Sequence, residues 1–212
     1  FCLFNSVAIA AHAALAGGLA RRIFIFDYDV HHGNGTEEAF YADPRVFYFS
    51  THQHPLYPGT GHADDMGAGE GKGTTLNVPL PPDSGDEELR QVCALMAQAA
   101  RRFKPDLVLV SAGYDGHWLD GISQLQLSVA GYAHVAETIR DVAGEVCGGR
   151  VVFLLEGGYH YAALAASVVA TFRVLLGEGW VDPLGPPLPY PPPDISPLLR
   201  GLRHLHGLAE GG

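Results

Sequence analysis

The chain changes character within ten residues, 23–32, which read IFIFDYDVHH. The first four are apolar, and a short apolar run without polar alternation is typical of a strand buried on both faces, as in the centre of a parallel sheet. The other six are mostly polar. Because ligands of parallel α/β sheets bind beyond the carboxyl ends of the strands, this stretch predicts a fold class and the position of a site.

Two further apolar runs end in the same way. Residues 107–111 read LVLVS and lead into AGYD, and residues 151–155 read VVFLL and lead into EGGY. Alternating strands and helices predict an α/β fold with a parallel sheet. The helices are expected at 7–19, 86–103, 128–147 and from the EGGY motif to about 176, and two shorter strands at 46–50 and 74–80.

The composition limits what the chain can be. Its 212 residues are 47% hydrophobic, enough for one sizeable core. No apolar run approaches the roughly 18 residues of a membrane span, and the net charge of −10 disfavours nucleic-acid binding, so neither a membrane nor a nucleic-acid partner is expected. Eight of the 15 prolines lie between Pro183 and Pro197, which predicts an extended arm at 181–212 after a domain at 1–180. The arm is expected to end in a short helix near 195–205.

The cysteines and the first residue bear on the origin of the chain. Cys2, Cys93 and Cys147 follow no regular spacing, so we expect neither a disulfide framework nor a cysteine zinc site. This favours a reducing compartment, and we expect a cytoplasmic protein. The chain begins at Phe1 without an initiator methionine, so we interpret it as a fragment.

The first strand end has the residues of a metal site. In an extended segment residues i and i+2 point to the same side, so Asp27, Asp29 and His31 share a face. Carboxylates and neutral imidazole are ordinary Zn²⁺ ligands, and a catalytic zinc keeps one position open. Either Asp115 or Asp120 would complete the set. A solvated strand end is the plainer interpretation of an isolated Asp-x-His, but it explains this polar run poorly.

The remaining histidines are weaker candidates for ligands, since loop histidines are common. His52, His54 and His62 lie in a Gly-, His- and Pro-rich loop at 52–73. We expect His134, His204 and His206 to lie on helix surfaces.

Five segments together resemble one known family, the zinc-dependent histone deacetylase superfamily. They are residues 1–10 (FCLFNSVAIA), 27–36 (DYDVHHGNGT), 57–61 (YPGTG), 111–115 (SAGYD) and 155–159 (LEGGY). The superfamily includes acetylpolyamine amidohydrolases and acetoin-utilisation proteins, and the last two motifs resemble its class II branch and bacterial relatives. The resemblance extends from residue 1 to about 177. It implies a three-layer α/β/α arginase/deacetylase-like fold with a parallel sheet, here lacking its N-terminal part.

The resemblance also implies a ligand set. It assigns one Zn²⁺ per chain to Asp29, His31 and Asp120, because we take the third ligand to lie five residues beyond the first aspartate of its motif. Asp115 and His32 then support these ligands. Gly121 stands where the family has proline after that third ligand.

Structural potassium is a second implied cofactor. Asp27 and the hydroxyl of Ser50 match one potassium site, together with backbone oxygens of Asp29 and His31. A second potassium site is expected around Phe40, Asp43 and Val46.

The catalytic and substrate-contacting residues are implied in the same way. Tyr159 matches the catalytic tyrosine. Phe1 and Tyr57 match the aromatic walls of the acyl-lysine tunnel, Gly157 and Gly158 border it, and Leu127 is expected near its rim.

The resemblance implies a hydrolase that releases acetate from acetylated lysine, polyamine or another small acylated amine, with a homo-oligomer possible through the arm. The family's tandem histidine pair, which supplies the general base and acid, precedes the match to Phe1 and is absent from this sequence. We therefore expect the segment to be inactive by itself. Two alternatives stay open: a non-enzymatic acyl-lysine-binding pseudo-enzyme, and a dinuclear manganese ureohydrolase-like enzyme. The second is disfavoured because His32-Gly33, and not a further ligand pattern, follows His31.

Overall fold

The computed structural model describes residues 3–209, so Phe1 and its predicted role in the tunnel lie outside the described residues. The strands are β1 (Ile23–Asp27), β2 (Val46–Gln53), β3 (Thr75–Leu80), β4 (Leu107–Ala112) and β5 (Val151–Leu155). They form one sheet in the order β3-β2-β1-β4-β5, and every neighbouring pair is parallel. The predicted parallel sheet is confirmed, with β1 at its centre.

Six α-helices accompany the sheet in the described part of the chain. They are α1 (Ser6–Ala16), α2 (Asn34–Phe40), α3 (Asp86–Phe103), α4 (Val129–Cys147), α5 (Tyr161–Leu175) and α6 (Ser196–His206), with a 3-10 turn at Gly69–Gly71. None of the helices in residues 3–209 combines the length and the apolar character that crossing a bilayer demands.

Helices cover both faces of the sheet, which confirms the predicted three-layer architecture. On one face Phe24 and Phe26 of β1 pack in a large apolar cluster with residues of α3, α4 and α6. On the other face Ile23 and Ile25 pack against the alanine-rich α1. Successive strand residues point to opposite faces, so a strand covered on both sides needs an unbroken apolar run. Each of these side chains contributes about 1.5–3 kcal/mol by its burial.

The third apolar run behaves differently from its prediction. In β5 Val152 is 47% exposed and Leu155 62% exposed, although VVFLL predicted a strand buried on both faces. β5 is the last strand in the sheet order, and no described residue pairs with its outer edge. The apolar pattern indicates a strand suited to burial, but it does not give the position of that strand in the sheet.

Three local predictions were also wrong or incomplete. α2 was not predicted, because its seven residues are too few for a clear helical period. His206 is buried and not on a helix surface, since α6 folds back over the large cluster and Arg102 donates to the carbonyl oxygen of His206. Leu127 is buried in that same cluster and not at a rim, because its backbone pairs with Gly116 immediately before α4 begins.

Candidate metal centre

The sheet brings the predicted polar motifs to one edge. Asp27, the last residue of β1, is in register with Ser50 of β2 and with Ser111 of β4. The segments that follow β1 and β4 therefore leave the sheet side by side. β5 pairs with β4, so the Glu-Gly-Gly-Tyr motif that follows β5 joins them at the same edge.

Three side chains converge there as a ligand set. One possible ligand atom from each of Asp29, His31 and Asp115 lies within 4.8 Å of the other two. Nδ1 of His31 is 3.1 Å from Oδ1 of Asp29 and 3.3 Å from Oδ2 of Asp115. Asp29 and His31 follow β1 and Asp115 follows β4, so the set depends on two neighbouring strands.

Backbone groups hold the two carboxylates in place. Asp115 Oδ1 accepts from Val30 N at 3.0 Å, and Asp29 Oδ2 accepts from Gly157 N at 2.9 Å. Asp29 Oδ1 also accepts from the backbone N of His31 at 2.9 Å. Such outer contacts orient ligands and are a regular part of metal sites. They leave Asp115 Oδ2 buried and facing the ring of His31 at 3.3 Å.

Two glycines let the backbone approach these carboxylates. A Cβ added to Gly157 would lie 2.6 Å from Asp29 Oδ2 and would also meet the carboxylate of Asp115. A Cβ added to Gly113 would lie 2.6 Å from Cβ of Asp29. Both distances are far below van der Waals contact, so only glycine fits at either position. The absence of a side chain lets Gly157 bring its own N–H to Asp29.

The electrostatics of the site favour a bound cation. Hydrogen bonds to Asp115 and Asp29 raise the pKa of His31 to about 10. Burial and the charge of Asp29 raise the pKa of Asp115, against the hydrogen bond from His31, and the same two causes raise the pKa of Asp27 and of Glu156. The site thus gathers more negative charge than the protein balances. With the carboxylate of Asp115 fully buried beside them, these donors fit a bound divalent metal ion such as Zn²⁺.

Asp120, predicted to be the third ligand, lies outside these three residues, but its Oδ1 is buried and makes no hydrogen bond among the described residues. Its Oδ2 accepts from the backbone N of Tyr159 at 2.7 Å and of His160 at 2.8 Å. Asp115, predicted to support the ligands, lies beside Asp29 and His31, and the assignment of the third ligand stays a prediction.

The residues predicted to bind potassium lie beside this set. Asp27 is buried and its Oδ2 accepts from the hydroxyl of Tyr48 at 3.0 Å, while Oγ of Ser50 is 2.9 Å from Nδ1 of His52. Of the second predicted site, Asp43 pairs with Arg45 through both carboxylate oxygens. Tyr48 was not predicted to belong to the site, and its hydroxyl contacts Asp27 directly.

The loop histidines have structural contacts of their own. His52 is buried and its Nε2 lies 3.0 Å from the carbonyl oxygen of Gly61. Burial, together with the nearby His32, lowers the pKa of His52 to about 3, so this side chain is neutral. His54 and His62 stack edge to face with ring centroids 5.4 Å apart. None of the three joins a ligand set in the described part of the chain.

The other predicted site residues surround this edge of the sheet. His32 is buried, with Nδ1 2.8 Å from Oγ1 of Thr60 and Nε2 3.3 Å from Oε2 of Glu37, and its supporting role stays a prediction. Tyr57 is 61% exposed and Tyr159 59% exposed, which leaves both aromatic rings accessible. Gly158 has φ +135°, a conformation that side-chain-bearing residues rarely adopt.

Comparisons with known proteins agree on one family. The histone deacetylase domain family matches residues 1–175. Histone deacetylase 14, chloroplastic, from Arabidopsis thaliana is 56% identical over 180 residues, or 84% of this chain and 42% of that protein. A probable deacetylase from Archaeoglobus fulgidus is 46% identical over 160 residues, covering 75% of this chain and 44% of the relative. The crystal structure of the HDA15 HD domain matches with a TM-score of 0.83 at 35% identity, covering 97% of this chain and 55% of that one. The chain thus spans about half the length of these relatives.

Proposed function

Because this chain belongs to the histone deacetylase family, we propose that it provides the metal centre of a zinc-dependent deacetylase that releases acetate from acetylated lysine side chains. One observation carries the proposal: Asp29, His31 and Asp115 converge at the carboxyl edge of the parallel sheet, where the site also carries excess negative charge. The proposed third ligand is Asp120, as the family resemblance implies, because its Oδ1 is buried and makes no hydrogen bond among the described residues, while Asp115 supports the ligands through its contact with Val30 N.

The chemistry divides between the metal and the protein. When bound, Zn²⁺ would polarise the scissile carbonyl and lower the pKa of a water molecule, as it does in other zinc hydrolases. The hydroxyl of Tyr159 would donate a hydrogen bond to the negatively charged oxygen that develops during attack on the amide. Gly157 keeps Asp29 oriented through its backbone N–H. The exposed ring of Tyr57 offers an apolar wall for the alkyl part of the substrate.

The proton for the leaving amine needs a separate donor. The sequence contains one tandem histidine pair, His31-His32. His31 belongs to the ligand set, and His32 is buried between Thr60 and Glu37. We propose that these 212 residues alone bind zinc and the acylated amine. Without this general acid, their turnover rate should be roughly 10²–10⁴-fold below that of an enzyme that has one. Acyl-lysine binding without catalysis is the second candidate function, since the accessible rings of Tyr57 and Tyr159 could hold an acylated side chain without turnover.

Zinc stoichiometry tests the proposal independently of turnover. After chelation and reloading, we expect about one zinc per native chain and a strong loss for Asp120→Asn; a loss confined to Asp115→Asn would make Asp115 the third ligand. A chain that binds two manganese ions in place of one zinc would support the ureohydrolase-like alternative. A native chain that retains no metal would overturn the metal centre itself.

Assays of acetate release separate the two candidate functions. Acetyl-lysine peptides and acetylated polyamines are compared as substrates, because the acidic chain is compatible with either cationic product. Measurable release that Tyr159→Phe abolishes would support a deacetylase. Tight binding of the acetyl-lysine peptide with no release, even after a histidine-containing segment is supplied in trans, would support the binding protein.

We further propose that Asp27 and Ser50 hold a structural K⁺ beside the zinc. Two observations support this site. The sheet register pairs Asp27 with Ser50 across β1 and β2, and the Asp27 carboxylate is buried beside a neutral group, the hydroxyl of Tyr48. Exchange of K⁺ for a large organic cation should lower the thermal midpoint of the native chain and should leave that of Asp27→Asn unchanged.

A further inference from the structure

We propose that His52 is a positioning residue for the Tyr57 loop, which comprises residues 54–61, an assignment that rests on the proposed function. The loop follows β2 and carries the exposed ring of Tyr57, the proposed wall for the alkyl part of the substrate. His52 itself lies in β2, in register with Pro79 of β3, so the sheet fixes its backbone. Its side chain can therefore hold the loop in a set position relative to the sheet.

The hydrogen bonds of His52 have one direction. Its Nε2 lies 3.0 Å from the carbonyl oxygen of Gly61, the last residue of the loop, and its Nδ1 lies 2.9 Å from Oγ of Ser50. A carbonyl oxygen can only accept, so Nε2 carries the hydrogen. In a neutral imidazole the other nitrogen is an acceptor, so Nδ1 accepts the hydroxyl hydrogen of Ser50. β2 thus orients the ring, and the ring donates to the loop.

Close packing holds the same end of the loop. A Cβ added to Gly61 would lie 2.5 Å from Cδ2 of His32 and 2.7 Å from Cε1 of His52, so the backbone of Gly61 lies directly against both rings. The two rings also pack on each other, with centroids 4.7 Å apart. Gly61 has φ +79°, which glycine adopts without steric cost. Glycine at this position therefore lets the loop reach the two histidines.

The loop residue before Gly61 is held by the second histidine. Nδ1 of His32 lies 2.8 Å from Oγ1 of Thr60, and its Nε2 lies 3.3 Å from Oε2 of Glu37. His32 directly follows His31 of the ligand set, so a substitution there would disturb the metal site as well. The two histidines act together on the loop, and His52 is the one whose removal tests the loop separately from the metal.

The start of the loop is anchored elsewhere. The backbone N of His54 donates to the carbonyl oxygen of Leu80 in β3 at 2.7 Å, and Leu56 packs against the large apolar cluster. Tyr57 lies between these anchors and the end of the loop on the two histidines. Without His52 the loop would keep its first anchors and lose a hydrogen bond at its end, so the ring of Tyr57 would be less well placed for a substrate.

Calorimetry with two ligands of the zinc-loaded chain tests this role. One is an acetyl-lysine peptide, and the other is acetohydroxamate, a small metal chelator that has no alkyl chain for Tyr57 to contact. We expect Tyr57→Ala to weaken peptide binding about 10-fold and His52→Ala about 5-fold. Acetohydroxamate affinity should change by no more than about twofold, and zinc content should not change. His52→Gln, whose side-chain amide can donate to Gly61, should recover most of the loss.

A double variant and a matched control separate positioning from stability. Because His52 acts through Tyr57, Tyr57→Ala/His52→Ala should bind the peptide no more weakly than Tyr57→Ala. His206 offers the control, because it is also a buried histidine but belongs to α6, where Arg102 donates to its carbonyl oxygen. His206→Ala should lose stability without losing affinity for the peptide.

The tautomer of His52 is a readout that stability alone does not change. In the native chain, ¹⁵N NMR should show the neutral ring with its hydrogen on Nε2, because the carbonyl oxygen of Gly61 accepts it. A ring with its hydrogen on Nδ1 would contradict the donation to the loop and overturn the proposal.

The outcomes distinguish this proposal from the proposed function. Native peptide affinity in Tyr57→Ala would overturn the role of Tyr57 and, with it, that of His52. Weak binding by Tyr57→Ala with native affinity in His52→Ala would overturn the positioning role alone. Equal losses of peptide and acetohydroxamate affinity in His52→Ala would also overturn it, because they would indicate damage to the metal site. Should His52→Ala not fold, His52→Met replaces it, because methionine fills similar space without an N–H donor; unchanged peptide affinity would again overturn the proposal.

Discussion

At the scale of single residues, the site depends on close approach between backbone and carboxylates. Gly157 has both an electrostatic role, through its N–H to Asp29, and a steric one, because a side chain there would meet the carboxylates of Asp29 and Asp115. The Gly-Gly pair was singled out from the sequence only as part of a motif. Glycine is required at position 157 because the space between the carboxylates of Asp29 and Asp115 is too narrow for a side chain.

Gly157→Ala should therefore weaken zinc binding. The added methyl group must push Asp29 or Asp115 away from the ligand set, so we expect the zinc dissociation constant to rise at least about 10-fold and stability to fall by about 1–3 kcal/mol. Titration with a competing chelator measures the first and urea unfolding the second. Gly144→Ala is the control: it lies in α4 with no atom within 4 Å of the added Cβ, and should stabilise by about 0.5–1 kcal/mol. Native zinc affinity in Gly157→Ala would contradict the assigned ligands.

At the scale of elements, α6 shows how a terminal segment is fixed to the domain. Leu199 and Leu202 of α6 lie in the large apolar cluster, and His206 is buried beside Arg102. Burial, and next the charge of Arg102, lower the pKa of His206 to about 4. The folded state therefore disfavours the charged imidazole, which an unfolded chain accepts at an ordinary pKa near 6.5.

Acid should therefore destabilise the fold through His206. The unfolded state binds the proton first, so stability falls as the pH drops from about 6.5 towards 4, and above 6.5 this contribution is constant. Between pH 7 and pH 5 the loss attributable to His206 is at most about 2 kcal/mol. Urea unfolding at both pH values measures it, and His206→Gln should reduce the difference. His204→Gln, at an exposed position on the same helix, should not. An equal pH dependence in all three proteins would disprove the role of His206.

At the scale of the whole molecule, the sheet concentrates negative charge at one edge. The carboxylates there have raised pKa values because of burial and mutual repulsion, so their ionisation costs stability as the pH rises above their ordinary range near 4. His31 adds to the same trend. Its raised pKa contributes stability that is complete below about 6.5 and is lost as the pH rises through about 10.

Zinc should consequently stabilise the chain more at pH 8 than at pH 5. A rise in pH favours ionised carboxylates, which repel each other, and the cation removes that cost and displaces the proton of His31; at low pH protons compete more strongly for the same groups. With free zinc at 1,000 times its dissociation constant, the gain in free energy is about 4 kcal/mol. Thermal unfolding with zinc and with chelator at the two pH values measures it. A difference in thermal midpoint that shrinks from pH 5 to pH 8 would contradict the charge balance described for the site.

Much of this molecule follows from its sequence alone. Apolar runs at 23–26, 107–110 and 151–155 predicted parallel strands, the helical period at 86–103 matched α3 residue for residue, and the polar strand ends predicted where the site lies. These predictions succeed because strand and helix periods fix which way side chains point within one element. Asp29 and His31 share a face for that reason.

Only the tertiary structure decided the rest. It brought Asp115 beside Asp29 and His31, left β5 at the edge of the described sheet, and buried His206. In each case the deciding contact joins residues far apart in the chain: Val30 to Asp115, β4 to β5, Arg102 to His206. The local pattern gives a side chain its direction along its own element. The path of a loop, and the neighbours of a strand or helix, are fixed only when the elements pack together.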